Sequence, residues 1–168
     1  YKRQDFGVGD VIVPKQEKRK IPTQLDDFTA PVVSTYSLET TIAEKTDAIL
    51  SLMEFSSRMK DYYDIYYLAN KFDFDGKVLT EALKKTFENR GHIFTIEQFE
   101  QVMSFADDST MQKKWKAFCR KIDTQTDDFS TVLRTIKVFL TKPFIAVLSK
   151  TEFSQQWIAA ESQWKKGV

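Results

Sequence analysis

The 168-residue chain sets 25 Lys and Arg against 24 Asp and Glu, a net charge of +1. It is therefore not drawn as a whole to polyanions, and any nucleic-acid contact must be a local patch. Hydrophobic residues make up 42% and aromatics 14%, enough for one domain with a real core and too much for a disordered chain. A single cysteine, Cys119, excludes an intrachain disulfide and a multi-cysteine zinc site. With no membrane-length apolar run and no signal-peptide core, a cytoplasmic location is expected.

The first 14 residues are rich in β-formers around Gly7 and Gly9. They read as a strand carrying Asp5, a tight turn at Gly9–Asp10, and a strand at Val11–Val13 stopped by Pro14. Lys15 to Lys20 reads as a charged loop, a solvated surface before it is a grip on RNA phosphates. Ile21–Pro22 reads as extended and Val32–Val33 as a short strand.

From Ser37, a natural N-cap, the pattern is helical. Leu38, Ile42, Ile49 and Leu52 recur at helical spacing, with Lys45 in the middle of their stripe. A lysine aimed inward requires an anion, because an unpaired buried charge costs several kcal/mol. A turn at Phe55–Ser57, with Ser56 or Ser57 as cap, leads to a second helix. There Arg58, Asp61 and Asp64 are three apart on one face and can meet Lys45. A staple between two helices and a binding site are both consistent with that spacing.

Asp75 caps a third helix, about Gly76 to Asn89, closed by Gly91, and Thr95-x-x-Gln98 is a capping box for a fourth. A fifth helix runs from Ser109 to Lys121 and a sixth from Asp128 to Leu140. Pro143 is expected to break or kink the sixth before a further piece at Phe144–Ser149. The tail from Thr151 carries Trp157 and Trp164, which either dock on the core or await a partner. Lys71 to Ala82 mimics a calcium loop and fails it, since lysine opens the loop and Ala82 stands where a glutamate is needed. His92 and Cys119 each stand alone. Lys113, Lys116 and Arg120 share a helix face beside Trp115, an arrangement open to tRNA backbone and stacking but more commonly an amphipathic helix surface.

The segments TTIAEKTDAIL (Thr40–Leu50) and SRMKDYYDIYYL (Ser57–Leu68) resemble the AbiEii/AbiGii-type toxins of abortive-infection and toxin–antitoxin systems. The likeness lies in an Glu-Lys in one helix followed by R-x-K-D-x-x-D at the head of the next. FDFDGKVLTEALKKTFENRG and the upstream QDFGVGDVIVP are also similar, and the likeness fades after Gly91.

That resemblance implies an α+β, predominantly α fold. A short β remnant of the nucleotidyltransferase sheet would occupy residues 1–36, a helical domain 37–150 and a tail 151–168. It implies transfer of a nucleotide from an NTP to a hydroxyl, with Mg²⁺ and an RNA acceptor, a tRNA end among the candidates. A cognate antitoxin is the implied protein partner. Asp5 would be a metal ligand and catalytic carboxylate, and Lys45 would reach the phosphates. Asp61 would support Lys45 or act as base, while Thr41, Arg58 and Asp64 would join in nucleotide binding. The family's Gly-Ser segment and paired aspartates are not among the 168 residues. The chain, which starts at Tyr1 within an apparent strand, is thus expected to be the C-terminal part of a toxin and inactive alone. The rival expectation is an all-helical protein–protein interaction module without catalysis.

Overall fold

A computed structural model of the chain describes residues 12–14, 17–20, 29–55, 58–122 and 126–166. The fold is α+β and predominantly α, as the resemblance implies, with six helices and two small antiparallel sheets among the described residues. Strand β1 (Glu17–Lys20) pairs with β2 (Val32–Thr35), Glu17 opposite Thr35 and Lys20 opposite Val32. The charged run expected as a loop is therefore partly strand. Backbone pairing with a Val-Val-Ser-Thr partner overrides the run's composition, and charge is well tolerated on so short a pair.

Helix α1 (Leu38–Leu52) starts where Ser37 accepts a hydrogen bond from the Thr40 amide. The Ser37 hydroxyl also donates to the Val13 carbonyl, and the Thr40 hydroxyl bonds both the amide and the carbonyl of Val13. This clamps the buried Val13 onto the first turn of α1. A turn of 3₁₀-helix, Met53–Phe55, follows α1. Helix α2 (Met59–Lys71) then begins with Arg58 at the N-cap and no side-chain cap bond, while Ser56 and Ser57, the expected caps, lie outside the described residues. Asp61 in its first turn supplies the negative charge that a helix N-terminus favours.

Helices α3 (Gly76–Arg90) and α4 (Ile96–Ser104) start at their expected caps. Asp75 accepts from the amides of Lys77 and Val78, and Thr95 and Gln98 form the reciprocal box. Gly91 ends α3 at φ 67°, a left-handed value suited to glycine. Helix α5 (Ser109–Ile122) precedes α6, which runs unbroken over Phe129–Ser149.

Pro143, expected to break or kink α6, does not break it. Proline has no N–H for the carbonyl four residues back, here that of Phe139. The Trp164 indole N–H donates to that carbonyl at 2.8 Å, so the buried group is not orphaned. Trp157 acts alike at the end of α2, donating to the Ala69 carbonyl at 2.7 Å. Both tail tryptophans therefore dock. Their strands β4 (Gln155–Ile158) and β5 (Gln163–Lys166) form a hairpin with Trp157 opposite Trp164, and β4 also pairs with β3 (Phe74–Asp75). Gly76 lets the hairpin close, since a Cβ there would lie 2.6 Å from both the Gln155 carbonyl and the Phe153 ring.

One apolar core runs through all six helices and the hairpin. Phe139 lies parallel to Trp164 at 5.8 Å, and Phe99 stacks on Phe144 at 4.7 Å. Helix α1 packs on both α2 and α3, so Lys45 and Asp47 can leave it toward different neighbours.

Candidate functional site: a lysine held between two helices

Lys45 leaves α1 toward α2, where its Nζ lies 2.6 Å from Asp64 Oδ2 and 3.1 Å from Asp61 Oδ1. Arg58 Nε sits 2.7 Å from Asp61 Oδ2, and Lys60 Nζ sits 2.5 Å from Asp64 Oδ2. Spacing of three and four on α2 brings all four charges to the Lys45 side. The Asp61 side chain is only 3% exposed, whereas Lys45 and Asp64 are each 18% exposed, so the cluster is partly open to solvent along the Lys45–Asp64 pair.

Burial by itself would lower the Lys45 pKa. The hydrogen bond and charge of Asp64, with Asp61 adding, outweigh it and hold the ammonium above its ordinary value. Asp61 Oδ2 is buried without a hydrogen-bond donor. Arg58 is near enough to neutralise that oxygen's charge but is not aligned to donate to it.

The structure thus brings together Lys45, Asp61, Asp64 and Arg58, as the sequence spacing requires. Thr41, one turn before Lys45, spends its hydroxyl on the Ser37 carbonyl at 3.0 Å. Asp5 lies outside the described residues. Among the described residues no three His, Cys, Asp or Glu side chains gather to hold a metal ion. Asp61 and Asp64 are themselves committed to ammonium and guanidinium groups, so this cluster does not fit Mg²⁺. No helix is long and apolar enough to cross a membrane among the described residues.

A second cluster escaped the sequence reading. Asp47, two residues beyond Lys45 and almost fully buried, faces α3. Its Oδ2 meets Arg90 Nη1 at 2.9 Å and its Oδ1 meets His92 Nδ1 at 2.7 Å. Ser51 Oγ is 3.2 Å from the same His92 nitrogen. Serine, histidine and aspartate all converge on one ring nitrogen, so the opposite nitrogen relays nothing between them and this is no catalytic triad. The readable signal was the stripe Thr40, Ala43, Asp47, Leu50, whose other members are buried. Trp115 is likewise buried, its indole donating to the Asp127 carbonyl, so it offers no face for a base to stack on.

The E-K helix and the R-x-K-D-x-x-D helix that carry this cluster are the segments in which the sequence resembles the AbiEii/AbiGii-type toxins. Residues 4–135 match the family model described as nucleotidyl transferase AbiEii toxin, type IV toxin–antitoxin system. The chain belongs to that family, and with it come a nucleotidyltransferase-type function, an NTP as substrate class and an antitoxin as partner class. The match spans the front and middle of the chain and extends well past Gly91, where the resemblance was read as fading. It gives no support to the expectation of a C-terminal part. No curated protein and no solved structure matches the chain.

Proposed function

We propose that the Lys45 cluster is the nucleotide-handling side of a cytoplasmic toxin that transfers a nucleotide from an NTP to an RNA hydroxyl, a tRNA end being the leading candidate. One observation carries the reading. Lys45 is anchored by Asp61 and Asp64 yet still reaches solvent, in the segment that matches the family. In that position it would meet the phosphates of the nucleotide as a compact cation, offsetting charge as the acceptor oxygen attacks and pyrophosphate leaves. Arg58 and Asp64 would set its direction. Asp61, with one buried oxygen lacking a donor, would position Lys45 or take the proton of the attacking hydroxyl. Thr41 would add a contact only by giving up its bond to Ser37.

Residues 1–36, 37–150 and 151–168 serve in this reading as the end of the catalytic sheet, the helical domain and its docked tail. Mg²⁺ belongs to the family's chemistry, and Asp5 is the ligand that the resemblance offers for it. The remaining carboxylates of the expected set are not in the sequence, so the 168 residues alone should transfer nothing. An antitoxin would silence the complete enzyme.

The test is transfer of label from each NTP with Mg²⁺ to RNA. It compares this chain with one that also carries the Gly-Ser and paired-aspartate segment. Transfer by the longer chain only is the expected result, and transfer by the 168 residues alone would overturn the carboxylate argument.

A further inference from the structure

Behind the Lys45 cluster α2 turns a different face to solvent. Tyr63 and Tyr67 lie stacked there, ring centroids 6.2 Å apart and planes at 22°. Tyr67 is half exposed and three residues beyond Asp64, so this pair borders the cluster by one helical step. The platform is fixed from below. Tyr63 packs on Phe118 at 5.8 Å, Phe118 on Trp115 at 5.5 Å, and Trp115 on Phe129 at 5.5 Å.

Tyr63, Tyr66 and Tyr67 line a cavity of about 450 Å³, and Lys116 and Arg120 line another of about 700 Å³. The two adjoin at Thr126 and Asp127, which line both. Helix α5 carries Lys113, Lys114, Lys116, Arg120 and Lys121 and no acidic residue. Lys116 and Arg120 are exposed and have no ion-pair partner among the described residues. Asp127 and Asp128, both exposed, line these cavities as well, the Asp127 carboxylate accepting from the Tyr66 hydroxyl and that of Asp128 from the Thr131 amide.

We propose that this α2–α5 groove seats a single-stranded RNA, bases against Tyr63 and Tyr67 and phosphates against Lys116 and Arg120. The inference rests on the transfer reading above and specifies its acceptor: an unpaired strand whose end is led to Lys45. Aromatic faces beside exposed cations suit unstacked bases and backbone phosphates. Lysine-rich surface is disfavoured at the core of protein–protein contacts. A duplex keeps its base faces stacked internally and offers nothing for the tyrosines to hold.

Anisotropy of a dye-labelled unstructured RNA of about a dozen nucleotides, titrated with the full 168-residue chain, tests this directly. Tyr67→Ala should weaken binding roughly 5- to 150-fold, the loss of one stacked base, while Tyr67→Phe should bind as the unaltered protein does. The pair Lys116→Ala and Arg120→Ala should lower the slope of log affinity against log salt by about 1.4, two phosphate contacts on a single strand. All these side chains are at the surface or partly so, and an unchanged melting midpoint confirms an intact fold. Failure of the unaltered chain to bind, equal binding by Tyr67→Ala, or an unchanged salt slope would each overturn the groove. Equal preference for duplex would do the same. RNA binding that survives these substitutions beside a transfer activity that needs Lys45 would sink this inference alone. Groove-dependent binding beside transfer indifferent to Lys45 would sink only the transfer reading.

Discussion

Lys45 and Asp47 leave α1 two residues apart and meet different neighbours, one the acids of α2, the other Arg90 at the end of α3 and His92 beyond it. At Asp47 each carboxylate oxygen has its own partner and the anion is shut away from water. At Lys45 the cation reaches solvent, two further cations stand on the same carboxylates, and one buried oxygen of Asp61 lacks a donor. A closed cluster only fixes a helix pair. An open one fixes it less well and keeps capacity for a ligand, and this difference is what separates a staple from a site in two clusters of similar composition.

The largest test of the contrast is Arg90→Met. It strands a buried Asp47 with His92 alone and should cost about 3–5 kcal/mol, the usual loss when one partner of a buried pair is removed. Urea unfolding measures it. A loss below about 1 kcal/mol would mean that the Asp47 cluster is no staple.

The same rule of filled valence applies at the far end of α6, where Trp164 serves the Phe139 carbonyl that Pro143 cannot. Trp164→Phe should cost about 1–3 kcal/mol for the stranded carbonyl. In a Pro143→Ala background the restored amide takes that carbonyl back, so the cost should shrink. Purely additive effects in this double-mutant cycle would refute the pairing.

These cases show what was legible in the sequence. Ser37, Asp75 and Thr95 announced their helices because a cap is a local event within four residues, and all three side chains accept the expected amide bonds. Lys45, Asp61 and Asp64 were legible because helical spacing alone puts them on facing sides of adjacent helices. The continuity of α6 was not, since the donor that excuses Pro143 arrives from Trp164, 21 residues later in the chain, through a hairpin whose partner strand is Phe74–Asp75. His92 looked solitary for a similar reason. Its partner Asp47 lies 45 residues away in sequence, on a stripe of α1 that an eye following Lys45 passes over.

Lys45→Met should have a smaller effect on stability than Arg90→Met, under about 2 kcal/mol, because Arg58 and Lys60 still neutralise Asp61 and Asp64. A loss equal to that of Arg90→Met would erase the distinction between the clusters.

The smallest effect appears only in alkali. Lys45 has its pKa above 10.5, so its ion pairs are whole below the unfolded value and fade as pH rises through the raised one. The Tyr66 phenol is pushed up to about 12 by burial first and by the carboxylate of Asp127 second. Its contribution is likewise complete below pH 10 and lost on approach to about 12. Melting midpoints recorded from neutral pH into this range should fall above pH 10, and Lys45→Met should flatten part of the fall. An identical profile for the variant would show that the Lys45 pairs contribute nothing.

The most direct measurement sets growth inhibition beside the thermal midpoint for Lys45→Met, in a chain that also carries the Gly-Ser and paired-aspartate segment. The open-site account predicts that inhibition disappears while the midpoint drops by less than about 8 °C. A variant that melts far earlier yet retains its inhibition per folded molecule would make Lys45 a staple like Asp47 and contradict the account.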